Sequence, residues 1–140
     1  MELVDELADY FDFLKDHLPF SELPSETLAR VVRALEIRYH RAGSMVFDIG
    51  EAVDGLYVVR KGAVEITDDA GRLSAREGEG DCFGFPALLT GGTARRAARC
   101  VEDTLTYVVP QALFHELRAE HPRFDRFFGL AHEGRLRAVV

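Results

Sequence analysis

Gly80-Asp81-Cys82-Phe83-Gly84-Phe85-Pro86-Ala87-Leu88-Leu89-Thr90-Gly91-Gly92-Thr93-Ala94-Arg95-Arg96-Ala97-Ala98-Arg99-Cys100 is the stretch around which the rest of the chain is read. A glycine-rich turn leads into a short apolar run, Phe85 to Leu89, about long enough for one or two helical turns. Gly91-Gly92 closes that run, and Arg95, Arg96 and Arg99 follow. Glycine lets a backbone come close to a ligand, and the first turn of a helix presents unpaired N–H groups that suit an anion. An arginine beside such a turn supplies a planar fork matched to phosphate oxygens. These residues fit a phosphate cradle; they also fit a surface loop followed by an edge strand with solvated arginines.

Working outward, Leu73 to Arg76 reads as a weak strand before the glycine-rich segment, and Asp68-Asp69-Ala70-Gly71 as a turn. Leu56-Tyr57-Val58-Val59-Arg60 and Ala63-Val64-Glu65-Ile66-Thr67 flank Lys61-Gly62, a tight connection between two strands. Ahead of them lie a polar turn from Gly50 to Gly55, a short strand Met45-Val46-Phe47, a turn at Arg41-Ala42-Gly43-Ser44 and an alternating run Ile37-Arg38-Tyr39-His40. Downstream, Arg95 to Val101 and Thr104 to Val109 read as strands separated by Glu102-Asp103. Short strands arriving at roughly ten-residue spacing predict a sandwich or antiparallel barrel.

Helices flank this region. Over residues 3–18, Leu3, Leu7, Tyr10, Phe11, Leu14 and Leu18 form an apolar stripe, with Asp5, Asp9, Asp12 and Asp16 on the opposite side. Pro19 ends that helix, and Phe20 and Leu23 pack the turn. A second helix starts at Pro24 or Ser25 and buries Leu28, Val31, Val32 and Leu35. Pro110 opens a helix carrying Leu113, Phe114 and Leu117; a break at His121-Pro122 leads into a last helix with Phe124, Phe127, Phe128, Leu130 and Ala131. The expected organisation is a single domain over residues 1–140: helices over 1–35, a β barrel over 36–109 with the cassette at 80–100, and helices over 110–140. Gly134 interrupts the final segment, and the apolar finish Ala138-Val139-Val140 suggests a cut in a longer protein.

Composition narrows the function classes. A chain of 140 residues can bury a core without disulfides or metal. A formal net charge of −7 argues against a general nucleic-acid surface, and no apolar run approaches a membrane span. The N-terminus is acidic with no signal-peptide core, so a cytoplasmic location is expected. Cys82 and Cys100 lack metal or redox spacing and read as small buried residues. Of the histidines, His17, His115, His121 and His132 belong to helices or their ends and only His40 lies near a strand, which disfavours a cupin-like metal centre. No P-loop, nucleophile elbow or CxxC is present, so no catalytic or metal-ligating residue is assigned. Arg38, Arg41, Arg60, Lys61 and Arg72 read as a solvated surface.

Several segments together resemble the cyclic-nucleotide-binding domain family, the eight-stranded antiparallel jelly-roll barrel of catabolite activators, kinase regulatory subunits and nucleotide-gated channels. Leu18-Pro19-Phe20-Ser21-Glu22-Leu23 resembles the family's opening turn. Gly50-Glu51, then Leu56-Tyr57-Val58-Val59 with Gly62-Ala63-Val64, resembles its central hairpin. Gly78-Glu79-Gly80-Asp81-Cys82-Phe83-Gly84 resembles the lead into its phosphate cassette, and Glu102-Asp103-Thr104-Leu105 the turn after it.

The resemblance implies a ligand site at Gly84, Phe85, Ala87, Leu88, Arg95 and Arg96, for a cyclic nucleotide or another phosphate-containing nucleotide. It also exposes departures. Where the family has a glutamate for the ribose hydroxyl, this chain has Phe85, and Pro86 follows in place of an aliphatic residue. Counting forward from Gly84 places the phosphate arginine at Arg95, whereas counting back from Glu102 reaches Ala94; Arg95 is the choice and Arg96 the runner-up. The small hydroxyl residue expected next is Arg96. Cyclic AMP binding is therefore expected to be weak or lost, with Phe85 either stacking on a base or closing the pocket.

The implied role is a non-catalytic sensor module in a larger bacterial signalling protein, followed by a CBS pair and a uridylyltransferase-like nucleotidyltransferase domain. In that role, ligand binding would reposition the C-terminal helices. The alternative is an interaction or dimerisation domain with a closed pocket, pairing as a homodimer through its C-terminal helices. Behind these stand an effector domain of a transcription regulator, although no helix-turn-helix follows, and the cupin-like enzyme.

Overall fold

The computed structural model describes the backbone of residues 2–139 and the side chains of residues 6–131. The chain separates into two compact units, Glu36–Gln111 and a second made of the residues up to Leu35 with those from Ala112 onward.

The first unit holds strands β1 (Glu36–His40), β2 (Met45–Phe47), β3 (Gly55–Lys61), β4 (Val64–Thr67), β5 (Leu73–Glu77), β6 (Cys82–Phe83), β7 (Ala97–Cys100) and β8 (Thr104–Pro110). All pairings are antiparallel, in two four-stranded sheets of order β1-β8-β3-β6 and β2-β7-β4-β5. This is the jelly-roll sandwich of the expected class, with one correction: the sheets do not close into a barrel. The strands cross between sheets at corners instead of pairing across them.

Lys61-Gly62 is such a corner, and the expected hairpin there is not one. β3 and β4 lie in different sheets, and Gly62 turns the chain from one to the other at φ +106°. The tight hairpin is β4–β5. There Asp68 Oδ1 accepts the N–H groups of Ala70 and Arg72, each at 2.9 Å, while Gly71 takes φ +77°.

β3, an interior strand between β8 and β6, is buried from Gly55 to Val59. Rings bind the two sheets. Phe47 of β2 meets Tyr57 of β3 and Phe83 of β6 at centroid distances of 5.9 and 6.1 Å, and Tyr57 stacks on Phe83 at 5.0 Å. Such pairs contribute about 0.5–1.5 kcal/mol each beyond burial.

The helices are α1 (Glu2–Leu14), α2 (Ser25–Ala34), α3 (Phe85–Leu89), α4 (Gln111–Glu120) and α5 (Pro122–Val139). In the helical unit α1 stops at Leu14, short of the expected residue 18. His17 uses its ring N–H to cap the Phe13 carbonyl at 2.7 Å, and Leu18, left beyond the helix, is 55% exposed. Phe20 and Leu23 are buried as expected, and so are Leu28, Val31 and Val32 of α2; Leu35, in extended backbone after the helix, is half-buried.

Phe114, Phe124 and Phe128 meet edge to face at 5.0 to 6.2 Å, and Phe20 meets Phe124 at 5.8 Å. Phe127 is half-buried and Leu130 exposed. Arg30 pairs with Glu120 at 2.9 Å and Arg123 with Glu22 at 3.2 Å. Pro110 ends β8 rather than opening α4. The backbone of α5 continues through Gly134, whereas Leu3, Asp5, His132 and the Ala138-Val139-Val140 finish lie outside the residues whose side chains are described.

Candidate functional site

The cassette grows out of β6. Its two residues pair with β3, Tyr57 against Phe83 and Val58 against Cys82. Gly80 N–H donates to the Val59 carbonyl at 2.7 Å, and Asp81 Oδ2 accepts the Gly78 N–H at 2.8 Å, which fixes the lead-in turn. Gly84 then bends the strand into α3 at φ +86°. A Cβ there would stand 3.2 Å from Tyr57 Cδ1, so both conformation and space call for glycine.

α3 is the short helix expected from Phe85 to Leu89, and it turns Phe85, Ala87 and Leu88 inward. Thr90 Oγ1 donates to the Pro86 carbonyl at 2.7 Å, and Gly92 N–H to the Ala87 carbonyl at 2.6 Å. The following loop is stitched to residues 50–53. Val53 N–H donates to the Gly92 carbonyl at 2.8 Å, Ala94 N–H to Glu51 at 2.9 Å, and Gly50 N–H to Ala94 at 2.8 Å.

This stitching turns Ala94 inward and leaves Arg95 exposed and Arg96 half-exposed. Both arginines precede β7, which begins at Ala97 rather than Arg95. Among the described residues neither has a hydrogen-bond or ion-pair partner, whereas Arg99 donates to the Gly43 carbonyl at 3.2 Å. Phe85, in the position after the cassette glycine, is only 2% exposed.

One constellation escaped the sequence reading. Arg38, placed there among solvated arginines, donates to Tyr57 Oη at 2.8 Å, to Asp54 Oδ2 at 3.1 Å and to Glu36 Oε2 at 2.6 Å. Its guanidinium carbon stands 5.7 Å from the Tyr57 ring centroid. The bond to Asp54 holds the guanidinium protonated well above the usual arginine range, and the same bond holds the Asp54 carboxyl below its ordinary value. Burial raises the Tyr57 phenol, opposed by the charge of Arg38. The spacing Glu36-x-Arg38 puts both side chains on one face of β1, which is the signal a sequence offers; Asp54 and Tyr57 arrive only through strand register.

Next along that face, His40 Nε2 lies 3.0 Å from Thr106 Oγ1, and burial, then the charge of Arg38, lowers its pKa. Cys82 and Cys100 are buried, and burial pushes the Cys100 thiol up. Among the described residues no group of three or more His, Cys, Asp or Glu could hold a metal ion, and no helix is long and apolar enough to cross a membrane.

Residues 37–121, from β1 through the end of α4, match the profile of the cyclic nucleotide-binding domain. The chain belongs to that family. This cyclic nucleotide-binding domain is 26% identical over 111 residues to the lysophospholipase NTE1 of Chaetomium globosum, covering 76% of this chain and 7% of that one. It is 30% identical over 117 residues to the cGMP-dependent protein kinase, isozyme 2 forms cD5/T2, of Drosophila melanogaster, covering 79% and 12%. The catabolite activator protein of Thermus thermophilus superposes with a TM-score of 0.72 at 27% identity, over 86% of this chain and 58% of that one. The domain thus spans a small fraction of the curated proteins it matches.

Proposed function

We propose that this cyclic nucleotide-binding domain is a regulatory module whose cassette keeps the backbone of an anion site but has lost the acceptor for a ribose hydroxyl. The observation that carries this reading is Phe85, buried at the position after Gly84, together with Arg95 and Arg96, exposed and half-exposed and without a hydrogen-bond or ion-pair partner among the described residues. A site built around a hydroxyl–carboxylate bond loses on the order of a few kcal/mol without its acceptor. Micromolar affinity corresponds to only about 8 kcal/mol. Cyclic AMP therefore binds weakly or not at all, and another phosphate-bearing nucleotide is the ligand class, with Gly84, Ala87 and Leu88 shaping the cradle and Arg95, then Arg96, meeting the phosphate.

We place the module in a longer cytoplasmic signalling protein, of the bacterial kind in which a CBS pair and a nucleotidyltransferase domain follow. The altered cassette supports that placement by resemblance. A second reading, an interaction or dimerisation domain with a closed site, is favoured by the burial of Phe85 itself.

A thermal-shift titration with cyclic AMP, cyclic GMP, AMP, ATP and inorganic phosphate separates the two. A ligand at a hundred times its Kd stabilises by roughly 2.7 kcal/mol. The expected result is a shift with a phosphate-bearing ligand that Arg95→Ala abolishes, and a gained cyclic-nucleotide response in Phe85→Glu. No shift with any of them, in either background, would leave the closed-site reading.

A further inference from the structure

We infer that Arg38 is a positioning residue for the cassette: it holds the Tyr57 ring against which Gly84 turns, and through Asp54 it ties that ring to Gln111, where the chain leaves β8. The apolar side of the ring is set by Phe83, stacked at 5.0 Å, and Phe47 at 5.9 Å. Its polar tip receives the Arg38 Nη1 hydrogen at 2.8 Å. The cassette backbone at Gly84 passes close to the ring: a Cβ added there would stand 3.2 Å from Tyr57 Cδ1. Tyr57 and Phe83 are also backbone partners, so ring and cassette backbone share one register.

Arg38 is itself held in place. Glu36 on β1 and Asp54 in the loop before β3 both pair with it, and a guanidinium with several fixed acceptors loses less freedom per bond than a lysine would. Asp54 is anchored at both ends, its carboxylate on Arg38 and its carbonyl accepting the Gln111 N–H at 3.0 Å. A continuous path therefore runs from Phe83, which precedes the cassette glycine and pairs with Tyr57, through Arg38 and Asp54 to the first residue of α4, wholly within the sheet unit.

The consequence for ligand affinity rests on the reading proposed above, but the positioning itself does not. Amide hydrogen exchange across residues 82–89 of the unliganded chain is the test, in Arg38→Met and Tyr57→Phe, with Arg72→Met as the control that loses an exposed ion pair elsewhere in the unit. Tyr57→Phe loses the one bond from Arg38 to the ring and should speed cassette exchange about tenfold; Arg38→Met, which also loses Asp54 and Glu36, should speed it at least as much, with β4 and β5 at wild-type rates and the control unchanged. Wild-type cassette rates in both variants would overturn the inference. So would an acceleration spread evenly over both sheets, since that reports global stability alone. If AMP or inorganic phosphate shifts the wild-type melting temperature, both variants should bind it about tenfold more weakly. If none of the five ligands of the thermal-shift titration does, the ligand reading fails while the exchange result still decides the role of Arg38.

Discussion

A Cβ at Gly62 would lie 2.5 Å from Thr104 Oγ1 and 2.7 Å from both the Asp103 carbonyl oxygen and Thr104 Cα, with φ at +106°. Two of those three atoms are backbone and cannot swing aside. Gly62→Ala should cost about 3 kcal/mol in urea unfolding, strain and overlap together. Gly43→Ala, at φ +85° with nothing within 4 Å, isolates the conformational part and should cost about 1 kcal/mol. Equal losses would mean that the corner relaxes. His40 offers a pH reading. Its folded pKa lies below 6.5, so as the pH falls past that value the unfolded chain takes up a proton that the folded chain resists. Stability is then lost as the solution becomes more acid, fully so below the folded value. His40→Gln, which keeps a hydrogen-bonding group beside Thr106, should flatten the acid side of the stability profile, below about pH 6.5; an unchanged slope would assign that loss elsewhere.

Elements were legible where their chemistry is local. Asp68 and Gly71 make the β4–β5 turn with partners no more than four residues away, and Gly84 announces the strand-to-helix bend by needing positive φ. The cassette helix was legible too, since an apolar run between glycine pairs leaves little else to form. Lys61-Gly62 was misread because a turn signal states that the chain turns, not into which sheet; the partner that decides it is Thr104 on β8. Leu18 fits the apolar period of α1, yet the chain stops being helical four residues earlier, where His17 takes a carbonyl that another helical turn would use. The choice between Arg95 and Ala94 could not be made by counting. Backbone bonds from Ala94 to Gly50 and Glu51 settle which residue faces outward, and those bonds are tertiary. Arg38 was hidden for the same reason, because three of its neighbours come from two strands and a loop.

At the scale of the whole molecule the chain has one contiguous unit and one assembled from both of its ends. The ion pairs and ring contacts that join those ends, Arg30 with Glu120, Glu22 with Arg123 and Phe20 with Phe124, bridge about a hundred residues of intervening chain. The contiguous unit begins at Glu36, which pairs with Val108, and ends just past Pro110, which pairs with Gly55. Its two ends therefore leave from neighbouring antiparallel strands, and β1 is the edge strand of its sheet. Tension applied between residues 36 and 111 would act across the β1–β8 ladder, loading one hydrogen-bonded pair at a time instead of all in parallel. In an optical-trap experiment with handles at those positions, β1 should peel away first, at low force and as a separate step from Glu36 towards His40, before the remaining strands yield. A single high-force rupture of the entire unit would show that the edge carries more load than its five residue pairs suggest.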